Sequence, residues 1–157
     1  MSGHGAPQTA PVDATGLNVV VVAGQWHDVI TDGLIAGAAR VLDASGATWR
    51  LVRVPGSFEL PVVCTAALEA GADAVVALGV IIRGGTPHFE YVSAAATDGL
   101  TRVALDTGKP VGFGVLTLDD EQQGLDRAGL ADSKEDKGAE AADAALRTAL
   151  LLRELRG

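Results

Sequence analysis

Apolar runs and amphipathic stretches alternate along this chain at a regular spacing. LNVVVVAG (17–24) is an unbroken, largely β-branched run closed by glycine, the pattern of a parallel strand buried on both faces. Residues 27–46 follow with Val29, Gly33, Leu34, Ala36 and Arg40 spaced for a helix, stopped by Gly46. ATWRLVRV (47–54) alternates as a second strand. SFELPVVCTAALEAG (57–71) has a serine start signal and a glycine stop, and Pro61 fits if that helix begins later than Ser57. A third strand (72–82), a third helix (88–108) and a fourth strand (110–117) complete the alternation. Thr117 with Asp120, and Ser133 with Asp136, match the capping box with Asp in place of Glu. They predict a short helix to about Ala128 and a long one over 135–156, with Ala142, Leu146, Ala149 and Leu152 on one face and Glu140, Asp143 and Arg147 elsewhere.

Strands alternating with helices in this way imply right-handed βαβ units, hence an α/β fold with a four-stranded parallel sheet between two helical layers. Residues 1–16 read as a flexible polar tail, and 17–157 as a single domain without internal repeats. Open parallel sheets bind ligands beyond the carboxyl ends of their strands. That rule selects the segments 24–27, 55–59, 82–88 and 113–117 as the candidate site.

Composition narrows the choices. Hydrophobic residues make up 48% of the 157 but aromatics only 4%, so the core is aliphatic. Each aromatic side chain is then informative: Trp26, Phe58, Phe89, Tyr91 and Phe113 fall near predicted element ends, while Trp49 reads as packing. A formal net charge of −8 argues against a nucleic-acid partner, which needs clustered cations. The longest apolar runs are too short to span a bilayer, and the start lacks the basic and apolar regions of a signal peptide. A single cysteine, Cys64, in an apolar helical pattern reads as buried and suits a reducing, cytoplasmic compartment. His4, His27 and His88 have no metal-ligand spacing, so no metal is expected.

The candidate segments carry several groups whose roles the residues alone leave open. Trp26 either stacks on a flat heterocycle or caps the core. Ser57, Phe58 and Glu59 open a helix, where Glu59 either complements the helix dipole or accepts hydrogen bonds from a polyol. RGGTPH (83–88) places two glycines, a hydroxyl and backbone N–H groups before a helix start, a ready anion site, though its spacing is neither the Walker loop nor the dinucleotide fingerprint. His88 there either moves protons beside a bound anion or makes only structural hydrogen bonds. Arg127 and Lys137 flank the segment between the last two helices, as site cations or as solvated charges.

In this order, VPGSFELP, GVIIRGGTPHFEYV, GVLT, LDRAG and EDKGAEA resemble the lumazine synthases of riboflavin biosynthesis, and the resemblance spans about residues 17–155. It implies a flavodoxin-like three-layer fold. It also implies a cofactor-free condensation of 5-amino-6-(D-ribitylamino)uracil with 3,4-dihydroxy-2-butanone 4-phosphate, releasing phosphate and water. Carried over by motif, Trp26 stacks on the pyrimidine, Ser57 and Glu59 hold it and its ribityl chain, and the backbone of Val80, Ile81 and Ile82 faces its edge. Gly85 and Thr86 match the phosphate contacts, Arg127 the phosphate-binding arginine and His88 the proton-transfer group. Phe113 and Lys137 match positions that complete the pocket from a neighbouring subunit. The resemblance further implies a homo-oligomer built of pentamers, and GLADSKEDKG, which lengthens the turn before the last helix, favours a free pentamer over a larger shell. The rivals are an archaeal-type riboflavin synthase and a non-catalytic lumazine or flavin carrier or shell protein. His88, Arg127 and the RGGT turn together favour catalysis.

Overall fold

The valines of the first run have one low-energy use, a strand covered on both sides, and the computed structural model, which describes residues 4–157, puts them there. They form β1 (Asn18–Gly24), which pairs in parallel with β2 (Thr48–Val54) on one side and β3 (Ala74–Ile82) on the other. β4 (Val111–Leu118) joins β3, and the sheet order is β2-β1-β3-β4. This is the four-stranded parallel sheet expected from the sequence, in a flavodoxin-like three-layer α/β arrangement.

Alternation along β1 divides the core. Val19, Val21 and Ala23 meet Ile30, Leu34 and Leu42 of α1 (Asp28–Ser45) and Ala142 and Leu146 of α5 (Lys137–Arg156). Val20 and Val22 meet Leu60, Cys64 and Leu68 of α2 (Leu60–Glu69) and Ala96, Leu100 and Val103 of α3 (His88–Thr107). Leu34, Leu42 and Leu146 are fully buried, and burial of each contributes on the order of 2 kcal/mol. Because Gly138 stands in the first turn of α5, that helix can lie against the backbone of Leu34; a Cβ there would run into that residue's carbonyl. Gly46, in the left-handed region with φ 77°, ends α1. Trp49 packs on the α1/α5 cluster and donates from Nε1 to Asp43 at 2.8 Å.

One expectation, a second helix that starts later than Ser57, holds, and several others are corrected. A 3-10 turn (Ser57–Glu59) precedes α2, with Pro61 in its first turn, so the helix begins after Ser57. The helix caps are the aspartates themselves, not Thr117 and Ser133. Asp120 accepts from Gln123 N at 2.9 Å, and Asp136 accepts from Ala139 N at 3.1 Å. A carboxylate caps as well as a hydroxyl, so each start lies one turn later than the box implies. α4 (Glu121–Leu125) therefore stops short of Ala128, and Ser133 instead pins the α4–α5 connection by accepting from Leu130 N and donating to Leu125 O. Segment 113–117 is the body of β4 rather than a loop. Part of the segment read as tail is tied down: Ala14 is buried, its N–H donates to Ser45 O at 2.8 Å, and Arg147 donates to Ala10 O. No helix among the described residues is long and apolar enough to cross a membrane.

Candidate active site

β1 sends its chain outward to β2 on one side, and the chain then returns to β3 on the other, so the carboxyl ends of β1 and β3 border the crevice where this fold binds ligands. The register makes that crevice unusual. β3 pairs with β1 only as far as Ala23 opposite Leu78, yet continues against β4 to Ile82 opposite Leu118. Residues 79–82 thus present one edge without a strand partner, a short row of backbone donors and acceptors. That edge faces an opening of about 750 Å³. It is bordered by Trp26 and His27 after β1, by residues 55–59 after β2, by Val80, Ile81 and Ile82, and by Gly84, Thr86 and His88 of the β3–α3 turn.

Each wall is fixed locally. Buried Thr31 donates from its hydroxyl to Trp26 O at 2.7 Å, and His27 takes φ 57°, the one non-glycine residue with positive φ among those described. This strained turn throws the indole outward, where it is 67% exposed. Gly56 passes between the Trp26 indole and the Glu59 carboxylate, and a Cβ there would stand 3.4 Å from both. Ser57 is buried with its hydroxyl against Gly79, at the root of the unpaired edge; a Cβ at Gly79 would collide with it. Glu59 is half-buried, and its carboxylate has no hydrogen-bond or ion-pair partner among the described residues. The side chain of His88 is equally uncommitted beside the opening.

The β3–α3 turn has the features of an anion site. Neither Gly84 nor Gly85 is required by packing, since a Cβ at either would meet nothing within 4 Å. The free space is therefore available to a ligand approaching backbone N–H groups. Pro87 precedes α3 at the N-cap position and gives it no side-chain cap; the His88 N–H makes only a long contact, 3.4 Å, to Thr86 Oγ1. Orphan donors and the positive end of the helix dipole are left to face an anion. Trp26 and Tyr91 supply aromatic surface at the mouth, and Phe58, 66% exposed, stands beside them.

Four residues anticipated for the site do not line this opening. Phe113 is exposed on β4, opposite Ala77. Arg127 donates to Gln123 O at 2.8 Å, at the end of α4. Lys137, at the first turn of α5, pairs with Glu135 at 2.7 Å and Glu140 at 2.8 Å. Desolvation pulls the Lys137 pKa down, but those two hydrogen bonds outweigh it and hold the ammonium above the usual lysine range. Gly85 sits between lining residues without lining the opening itself.

The sequence reading passed over Gly56, Phe89, Tyr91 and Val92 as site residues. For two of them a signal existed: His88, Tyr91 and Val92 follow i, i+3, i+4 spacing and so share one helix face. Cys64 lies in the α2/α3 core, and burial pushes its thiol up to about 12, which makes it inert. Among the described residues no group of three or more His, Cys, Asp or Glu side chains is placed to hold a metal.

The opening thus combines a flat aromatic surface, a strand edge that can pair with a planar amide-like heterocycle, two free ionisable side chains and an anion turn. The family described as 6,7-dimethyl-8-ribityllumazine synthase matches residues 16–153. A protein of that name from Leifsonia xyli subsp. xyli is 78% identical, with both chains fully covered. Another from Clavibacter sepedonicus is 76% identical over all of this chain and 99% of its own, and one from Nocardioides sp. is 65% identical over 99% and 97%.

Proposed function

Since the chain belongs to the 6,7-dimethyl-8-ribityllumazine synthase family, we propose that the opening beyond β1 and β3 is where it carries out that family's reaction. The enzyme condenses 5-amino-6-(D-ribitylamino)uracil with 3,4-dihydroxy-2-butanone 4-phosphate, releasing phosphate and water, the penultimate step of riboflavin biosynthesis. The observation that carries the placement is the unpaired edge of residues 79–82 between the Trp26 indole and the uncapped start of α3.

The pyrimidine stacks on Trp26 and pairs its edge with the backbone of Val80, Ile81 and Ile82. Ser57 and Glu59 take the ring substituents and the ribityl hydroxyls, and Phe58 closes the mouth. The phosphate of the ketone lies on the N–H groups of Gly85 and Thr86 at the start of α3. The pyrimidine amine then attacks the ketone carbonyl. Loss of water gives the imine, elimination of phosphate leaves an enol that tautomerises to a new carbonyl, and the ribitylamino nitrogen attacks that carbonyl and closes the second ring with loss of a second water. His88, beside both reactants, relays protons between amine, carbonyl oxygen and leaving water. Most of the acceleration comes from holding two reactants in register and from the anion clamp.

A neighbouring copy completes the site in this reading. Trp26, Phe58 and Tyr91 expose more aromatic surface together than a lone chain of this kind needs, and Tyr91 is 75% exposed. Phe113, Lys137 and Arg127, all outside their own chain's opening, then reach the site of an adjacent subunit, and the assembly is a ring of five. A cytoplasmic location fits the single buried thiol.

The test is an absorbance assay of lumazine formation with both substrates, run beside the uncatalysed condensation and the variants Arg127→Ala and His88→Ala. Lumazine and phosphate should appear in equal amounts well above background. Arg127→Ala should lose use of the phosphorylated ketone, and His88→Ala should slow turnover only modestly because positioning survives. An Arg127→Ala defect confined to the pyrimidine's apparent affinity would sink the phosphate assignment.

A further inference from the structure

We propose that Arg83 is a positioning residue for this reaction: its guanidinium, held between Asp119 and Glu90 and stacked on Phe89, fixes the 84–88 turn on which the phosphate of the ketone sits. The inference rests on that turn being the phosphate site.

Arg83 is the first residue beyond β3, and its N–H donates to Leu118 O at 2.8 Å, extending the β3–β4 ladder to the root of the turn. Its side chain then reaches in two directions. Nε donates to Asp119 Oδ1 at 3.0 Å, just past β4, and NH1 donates to Glu90 in the first turn of α3. The guanidinium carbon stands 4.3 Å from the centre of the Phe89 ring, a cation–π contact with a residue that lines the opening. One rigid, planar fork therefore joins the end of β3, the end of β4 and the start of α3.

What it spans is the least constrained part of the site. Between Arg83 and α3 lie only Gly84, Gly85, Thr86 and Pro87, and nothing packs against the Cα atoms of the two glycines. Glycine carries the largest conformational freedom to lose, so the aim of these N–H groups needs an external brace. Arg83 does not line the opening, and two carboxylates already answer its charge. It is thus a brace and not a phosphate ligand. Hydrogen bonds from Arg83 hold both Glu90 and Asp119 below the usual carboxylate range, so the brace stays charged through the neutral range. All three groups are solvent-exposed, and such pairs contribute little to global stability. The consequence lies in geometry, where a misplacement of about 1 Å costs up to roughly 100-fold in rate.

The experiment uses the full chain with Arg83→Met, Arg83→Lys and Asp119→Asn, and inorganic phosphate as the probe, a competitive inhibitor against the phosphorylated ketone. In Arg83→Met the phosphate inhibition constant and the ketone KM should both rise about tenfold, with pyrimidine KM and melting temperature close to the parent's. Arg83→Lys and Asp119→Asn, each keeping part of the brace, should fall between; they carry the test if Arg83→Met does not fold. An unchanged phosphate constant in the variants, with competition intact in the parent, overturns the role of Arg83 alone. Equal rises in both KM values with a lower melting temperature would also overturn it, because that is a merely structural effect. If inorganic phosphate fails to compete with the ketone in the parent enzyme, the phosphate turn itself falls and the brace with it.

Discussion

The two faces of the sheet are built to different degrees of completion. On the α1/α5 side, leucines and alanines interlock until Leu34, Leu42 and Leu146 are fully buried, and helix backbones touch at Gly138. On the α2/α3 side the core is equally dry beneath the helices but stops short at the carboxyl end, where Trp26, Phe58 and Tyr91 stand open. The difference teaches where each kind of free energy goes. One face folds the chain; the other leaves apolar surface open, which the proposed function assigns to substrate and to a second subunit.

Leu34→Ala should separate the faces most sharply, lowering unfolding free energy by roughly 2–5 kcal/mol in denaturant titration, while Tyr91→Ala on the open face should change the isolated chain's stability by no more than about 0.5 kcal/mol. A loss at Tyr91 as large as at Leu34 would break the distinction. Next in size, Thr86→Asp and Arg127→Ala should each lower turnover about 100-fold, roughly 2.7 kcal/mol, by spoiling the anion clamp from its two sides. If the clamp is shared between subunits, assemblies co-expressed from the two variants should regain activity that neither has alone. No recovery in verified mixed assemblies would place Arg127 in the site of its own chain. Smallest of the three, Trp26→Ala should raise the pyrimidine KM about tenfold, near 1.4 kcal/mol, without moving inhibition by inorganic phosphate.

Much of this was legible because periodicity and burial agree. The runs at 17–24 and 72–82 have no amphipathic alternative to a doubly covered strand, and glycines 46 and 108 mark the ends of α1 and α3 where a left-handed residue is needed. The caps at Asp120 and Asp136 were displaced by one turn because Thr117 and Ser133 offer the same chemistry three residues earlier. Within the site, Trp26, Phe58 and the RGGT turn were singled out because each is local, whereas Phe89 and Tyr91 were passed over. The Arg83 brace could not be found in this way: its partner Asp119 is distant in sequence and is brought close only by the β3–β4 pairing. Nor does any local pattern tell that Arg127 and Lys137, although near the motifs, turn away from their own chain's opening.

The mismatch in length between β1 and β3 also bears on how specificity is inherited. Four residues at about 3.3 Å each make a shelf of roughly 13 Å, enough to run the length of a single heterocycle. Its donors and acceptors belong to the main chain, so their order follows from chain direction and from one strand outlasting its neighbour. Side chains at positions 80, 81 and 82 can drift among aliphatic residues without erasing that message. An insertion or deletion that changed where β1 ends would erase it at once, so under the proposed function recognition of the ring is guarded chiefly by strand length.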